Sequence, residues 1–285
     1  MPEVVFSAMI HTPETVDVLQ ALLAEFKSLS GISVRLIPFS WEEGQAELNK
    51  AARYHNGPDI SEIGSTWIND LVGMGSLRPF SPNELAWIGK PESFITESWN
   101  SGKTWGSTSQ WALPWLAETY MIHYRRDLLA QAGAAEADAF CSHEALTRTA
   151  ARLQAAGAAV PVEPLFELDS YGTLHCLASW VWTAGGHFCS PDGRQVYFNR
   201  PAELRAICDY FSLWKDLTPS ARRLIRERNG SLFASGKAAI TFGTLRFYNN
   251  YHNAPSQVKE NWGVAPLPGM HFIGGSNLSI WEHVK

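Results

Sequence analysis

The chain has 285 residues, enough to bury one large α/β core or two smaller lobes. A hydrophobic share of 45% and a charged share of 18% are those of a globular protein and exclude a disordered chain. The formal net charge of -5, with pI near 6.0, gives no electrostatic basis for binding nucleic acid or an anionic membrane surface.

No apolar run reaches the length of a bilayer span. Met1 is followed almost at once by the strand-like "VVFSAMI", which leaves no n-region or h-region. As given, the chain is therefore expected to be cytoplasmic unless an export signal has been trimmed. Four cysteines, Cys141, Cys176, Cys189 and Cys208, show no CxxC or Cys/His spacing, so neither a metal nor a cofactor is expected. Unpaired thiols are expected, with a Cys176–Cys189 or Cys189–Cys208 bridge left open. Twelve tryptophans are the strongest compositional signal. Most belong to a core, but several fall at strand ends and helix starts, where an indole can offer its face to a ligand.

The first third reads as β-α-β-α-β-α. Val4 to Ile10 suits a buried parallel strand. Thr12 is a candidate N-cap with Pro13 at the first helical position, and Val16, Leu19, Leu22, Leu23 and Phe26 recur at helical spacing up to the stop at Gly31. Ser33 to Pro38 is a second strand. Ser40 and Glu43 have capping-box spacing and open a helix through about Arg53. After Gly57-Pro58, "DISEIG" makes a third strand, and Ser65-Thr66 can cap a helix beginning at Trp67. Strands alternating with helices of this length predict a parallel sheet with right-handed crossovers.

In such a sheet, ligands sit beyond the carboxyl ends of the strands. Three loops occupy that position: His11-Thr12, Phe39-Ser40-Trp41 and Ser65-Thr66-Trp67. Trp41 and Trp67 suit ligand contact and core packing equally, whereas His11 reads as a solvated turn residue.

Further along, "QWALPWLAETYMIHYRRDLLAQAG" contains a Pro-interrupted strand, a second strand from Tyr120 to Tyr124, and a short helix ending at Gly133. Ser142 to Gly157 and Tyr171 to Ala184 are helices, and Asp192-Gly193 makes a turn between short extended segments. Asn199 is a candidate cap for a helix whose buried stripe is Leu204, Ile207, Phe211 and Leu213-Trp214. "LFASGKAAITFGTLRFYNNY" reads as short helix, glycine turn, strand (Ala238 to Phe242), glycine and helix. "NWGVAPLPG" is extended, and the chain closes on the alternating "GGSNLSIWEHVK". Helices with few strands between them predict a second, more helical lobe.

Several stretches together resemble the family 1 extracellular solute-binding proteins of ABC importers, the maltose-binding-protein-like sugar binders. They are "PDISEIGSTWINDLVGMGSLRPF", "ALPWLAETYMIHYRRDLLAQAG", "LFASGKAAITFG", "WGVAPLPG" and "GGSNLSIWEHVK", in family order across nearly the whole chain. The resemblance implies an α/β, two-lobed, periplasmic-binding-protein-like (type II) fold. Its N-lobe would be residues 1–114 with 266–285 and its C-lobe residues 115–265. It also implies a further crossing and a C-terminal helical block after "GGSNLSIWEHVK", so the fold is expected to be incomplete at the C-terminus, with apolar surface left for a homodimer to cover. The implied ligand is a carbohydrate in the interlobe cleft, the implied partners are the transporter's membrane subunits, and the implied location is periplasmic or extracellular and lipid-anchored.

The resemblance also places site residues. Glu118 stands where the family often has an acidic ligand residue in a Pro-x-x-Asp-Thr-like motif, here Pro114-Trp115-Leu116-Ala117-Glu118-Thr119. The longer Glu leaves the contacted hydroxyl open, and the alternative is a pair with Arg125 or Arg246. Trp67 and Trp115 are the stacking candidates by position. Tyr171, His175 and Trp182 fall on one helical stripe that either reaches the cleft or forms lobe core. Thr244 and Arg246 follow a glycine where the family often has a ligand-facing aromatic, and Gly275, Ser276 and Asn277 are expected to line the cleft from the N-lobe.

An enzyme is the rival from another class. A glycoside hydrolase needs two carboxylates flanking the sugar, yet Glu42, Glu43 and Glu118 have no marked spacing. No G-x-S-x-G elbow, HExxH helix or Walker loop is present. Nearer rivals share the two-lobe plan: a ferric binder using Tyr248, Tyr251 and His252, an oxyanion binder using Ser65, Thr66 and Thr244, or a fragment that no longer binds.

Overall fold

β1 (Val4–Met9) and β2 (Val34–Phe39) are apolar runs that pair in parallel from Val4↔Val34 to Met9↔Phe39. The computed structural model describes residues 3–165, 171–190 and 192–284, without the side chain of Tyr171. Between the two strands runs α1 (Thr15–Ser30), stopped by Gly31 at φ 75, where only glycine enters the left-handed region freely. Next, α2 (Trp41–Tyr54) starts at Ser40, whose hydroxyl accepts from the Glu43 N–H. α2 buries Gly44, Leu48 and Ala52, spaced four apart on one face. A Cβ at Gly44 would stand 2.6 Å from the Met9 sulfur, so the glycine lets α2 lie directly on β1. β3 (Ile60–Gly64) pairs in parallel with β1, and α3 (Ile68–Gly73), β4 (Leu77–Arg78), α4 (Pro82–Ile88) and α5 (Thr96–Ser101) follow.

The chain divides into two compact units. The first is residues 1–118 with 273–285, and the second residues 119–272. The expected joints lay four residues earlier at the first crossing and seven earlier at the second. The first unit's sheet has the order β2-β1-β3-β10-β4, and β5 (Ala112–Thr119) also pairs with β10 (Ile273–Trp281). β10 runs antiparallel to β3, from Ser276↔Gly64 to Ile280↔Ile60. The closing segment of the chain is thus a central strand of the unit that its beginning forms.

The second unit holds β6 (Met121–Arg125), α6 (Arg126–Gln131), α7 (Glu136–Ala139), α8 (His143–Ala155), β7 (Val160–Glu163), α9 (Tyr171–Thr183), α10 (Pro201–Lys215) and α11 (Pro219–Arg226). It ends with β8 (Ala238–Gly243), a 3-10 segment Leu245–Tyr251, α12 (Ser256–Glu260) and β9 (Trp262–Pro266). Its sheet order is β7-β8-β6-β9, with β6 antiparallel to both neighbours. Trp180, Tyr210, Phe242 and Ile122 lie in the core of its main cluster. All four cysteines are free thiols, and burial raises the Cys176 thiol well above its ordinary range.

Several local expectations are corrected. α1 begins at Thr15 rather than beside Thr12, because the Thr15 hydroxyl accepts from the His11 and Thr12 N–H groups and takes the turn-closing role itself. Its stripe is not buried: Leu22 and Phe26 are exposed together with Val18 and Leu29. Neither Ser65 nor Thr66 caps α3, whose N-cap position is Trp67. Arg200, not Asn199, precedes α10, and that helix buries Glu203, Ala206, Tyr210 and Leu213 while Leu204 and Phe211 face solvent. Of the expected stripe, Leu213 is buried and Ile207 packs against the main core, while Glu203 accepts from the His187 N–H at 3.0 Å. Residues 232–236 form a turn rather than a helix.

Candidate functional site

In the first unit the parallel strands β1, β2 and β3 all end at one edge, and the three loops read from the sequence leave from there. Their aromatic rings meet. His11 and Trp41 lie 5.4 Å apart at 71°, and Trp41 and Trp67 lie 5.5 Å apart at 65°, both edge-to-face contacts. Trp67 is buried because its indole covers Gly64, where a Cβ would fall 2.6 Å from Cε2. Trp41 is half-buried and Thr66 is exposed. Trp67 lies in the core, and Trp41 packs against the same core while part of its ring stays exposed.

The sequence reading missed Glu62, which lies in the middle of β3 and is buried. The signal for it was a charged residue inside an apolar strand, a placement that requires partners. Its Oε2 accepts from the Met9 N–H at 2.9 Å, and its Oε1 lies 2.7 Å from His11 Nε2 and 2.5 Å from the Ser276 hydroxyl, which donates to it. His11 is therefore not the solvated turn residue that the sequence indicated but an anchored ring.

Ser276 and Asn277 are both buried. Ser276 is bonded to Glu62, and Asn277 donates to the Ser101 hydroxyl at 3.0 Å. Adjacent residues on a strand point to opposite faces, so β10 is covered on both of its faces at these two positions. Gly275 has φ +119, and a Cβ there would stand 2.0 Å from the Leu116 carbonyl oxygen. Only glycine lets β10 pass this close to β5. The Ser65 N–H donates to the Gly275 carbonyl at 3.1 Å, so Ser65-Thr66, Gly275 and the Trp115–Glu118 stretch are contiguous through the backbone. Trp115 is 43% exposed on β5. Glu118 is half-buried. Arg125, its alternative partner in the sequence reading, instead gives two nitrogens to Asp127, at 2.9 and 2.6 Å.

In the second unit, His175 stacks on Phe272 at 4.0 Å and 9°, and Trp182 lies over the same ring at 6.2 Å and 22°. The helical stripe is therefore real for these two residues, and Trp182 also packs against the main core. Tyr171 opens α9 by its backbone, and its side chain lies outside the described residues. Burial pushes the His175 ring down to about 4. Thr244 precedes the 3-10 segment, and Arg246 is exposed on its first turn. Behind them, His123 accepts at Nδ1 from Trp262 Nε1 at 3.0 Å, and burial lowers its pKa to about 4 despite the nearby Gly243 and Thr244 backbone. Tyr248 and Tyr251 stack at 4.8 Å. Among the described residues no three His, Cys, Asp or Glu converge on a metal position, and no helix is long and apolar enough to cross a membrane.

A parallel three-strand edge lined with indoles, in a sheet that takes its antiparallel strand β10 from the end of the chain, is the arrangement of a solute-binding protein of the type II periplasmic class. Residues 21–285 match the profile described as bacterial extracellular solute-binding protein, and the chain belongs to that family. Diacetylchitobiose binding protein DasA of Streptomyces coelicolor is 24% identical over 273 residues, covering 91% of this chain and 60% of DasA. A putative binding protein of Brucella abortus is 28% identical over 251 residues, covering 84% of this chain and 56% of that protein. The chain thus spans a little over half the length of these curated relatives. The sugar-binding protein MalE of Xanthomonas citri shares the fold with TM-score 0.82 at 20% identity, over 100% of this chain and 72% of that one. The GacH receptor of Streptomyces glaucescens does so with TM-score 0.75, also at 20% identity, over 100% of this chain and 73% of that one.

Proposed function

We propose that this protein binds a sugar, without transforming it, as the solute-binding component of an ABC import system. The observation that carries the proposal is the convergence of Trp41, His11, Ser65 and Thr66 at one strand edge, next to the exposed indole of Trp115. Flat aromatic faces suit the C–H patches of a pyranose, and hydroxyl, amide and imidazole groups suit its hydroxyls. Relatives named for diacetylchitobiose and acarbose binding point to the same ligand class. The indole-lined edge favours a sugar over an inorganic anion.

On the second unit we assign Thr244, Arg246 and His175 as contacts, with Tyr171 retained from the sequence reading. On the first we assign Trp41, Ser65, Thr66, Trp115 and Glu118, with Gly275 shaping the backbone. Trp67 supports Trp41 from behind. A ligand that binds one conformation better than another shifts the population towards it, which membrane subunits of a transporter can sense. A thermal-shift screen with mono- and disaccharides, followed by calorimetry and recovery of the bound sugar, tests the proposal. Saturable binding with unaltered sugar is expected, and turnover would assign an enzyme instead.

Val18, Leu22 and Leu29 form an exposed stripe on α1 that can face its own copy about a twofold axis. Self-association through this stripe is part of the proposal, and light scattering of Leu22→Glu against wild type tests it. A wild type that stays monomeric at high concentration would contradict it.

A further inference from the structure

We propose that His11 is a direct ligand contact of this sugar site and that Glu62 is the positioning residue that aims it. The inference rests on the sugar-binding reading and deepens it.

The side chain of Glu62 is 1% exposed and that of His11 is 20% exposed. The pair therefore spans the boundary between the interior of the unit and its strand edge. An ionised carboxylate only accepts hydrogen bonds. The three groups around Glu62 come from three places in the chain: the last residue of β1, the loop after it, and β10. For His11 to satisfy Glu62, its Nε2 must carry the proton. The ring's remaining nitrogen, Nδ1, has no hydrogen bond among the described residues and is not sealed from solvent.

Trp41 packs edge-to-face with the imidazole at 71°, which holds the plane of the ring, and the hydrogen bond to Glu62 favours the tautomer with its proton on Nε2. A ring whose one nitrogen is committed inward and whose other is left open at the rim is built to receive a hydroxyl. Neutral Nδ1 accepts from a sugar O–H, and the protonated ring donates to a sugar oxygen. A purely structural role, in which His11 only satisfies Glu62, needs no open nitrogen.

The experiment uses the whole chain, with maltose and diacetylchitobiose as probes, titrated first into wild type. His11→Gln keeps an amide donor that can reach Glu62 but removes the ring. Its expected effect is a loss of about tenfold in affinity, the size of one or two lost hydrogen bonds, with unfolding midpoints close to wild type. Glu62→Gln tests positioning through the imidazole nitrogen resonances of His11: the free protein should show mixed tautomers, with affinity lowered about threefold. In wild type, the Nδ1 resonance should move on saturation with the sugar that binds. If Glu62→Gln does not fold, that wild-type resonance decides alone.

A sugar that binds wild type and His11→Gln equally, or that leaves Nδ1 unmoved, overturns this inference while leaving the sugar-binding reading intact. Failure of every sugar in the wider screen to bind wild type sinks the reading itself, and the inference with it.

Discussion

The two units use histidine in opposite ways. In the first, His11 sits at a strand edge with one nitrogen on a buried carboxylate. In the second, three rings lie against aromatic faces: His123 beside Phe247 at 4.8 Å, His143 stacked on Trp180 at 4.2 Å, and His175 stacked on Phe272 at 4.0 Å. Burial pushes all three down to about 4. The first unit ties its sheet together with paired polar groups, such as Ser7 with Ser61, Trp281 with Ser61, and Asn277 with Ser101. The second fills its interior with rings, and burial disfavours the charged form of these three histidines. The same side chain is anchored on a carboxylate in one unit and packed against aromatic rings in the other.

The largest effects should come from the first unit's tight points. Trp67→Ala removes a buried indole from Gly64 and Trp41 and should cost about 3–5 kcal/mol of stability, read by urea unfolding. Loss of sugar affinity with stability intact would instead make Trp67 a ligand residue and undo its assignment to the core. Gly275→Ala should destabilise by about 3 kcal/mol or abolish soluble expression, since its Cβ meets the Leu116 carbonyl and its φ disfavours any side chain. A wild-type melting curve would mean that β10 and β5 are farther apart than described.

Acidification should then separate the units. The unfolded histidines titrate near the ordinary value of 6.5 and the folded ones near 4. The unfolded chain therefore binds more protons between these values. The stability of the second unit is fully present above about pH 6.5, falls as the pH drops towards 4, and levels off below. His123 alone accounts for on the order of 3 kcal/mol. In the first unit, hydrogen bonds from Arg78 hold the Glu84 carboxyl down to about 2, so that pair stays ionised throughout this window. Urea midpoints at pH 7 and pH 4.5, for wild type and His123→Gln, check this. A pH-independent midpoint would refute the neutral-core description.

The smallest effect on stability should be at Trp115, whose indole is already exposed. Trp115→Ala should shift stability by less than about 0.5 kcal/mol yet weaken sugar binding about tenfold. Unchanged affinity would remove β5 from the site.

Much of this plan was legible in the sequence. The β-α-β-α-β order, the Ser40 cap, the helices from His143 and Tyr171, and the strand at Ala238 all follow from period and capping chemistry. β4, β7, α4, α5 and α11 were not read, because two to eight residues carry too little periodicity to stand out. The three strand-end loops were found because ligand position in an α/β sheet follows from topology. Glu62 was not, because its meaning depends on Met9, His11 and Ser276, which only the folded sheet brings to it. The partners of Ser276 and Asn277 were not legible for a related reason: a polar residue in a strand looks the same in sequence whether it faces solvent or an interior partner.

Isothermal titration of the wild-type chain with maltose, diacetylchitobiose and a wider sugar panel, repeated on Trp41→Ala, addresses the central claim most directly. The account predicts saturable binding of at least one neutral sugar, lost or weakened about tenfold or more in Trp41→Ala, with the sugar recovered chemically unchanged. Binding that survives Trp41→Ala undiminished, or heat released only with sulfate, phosphate or ferric ion, would contradict it.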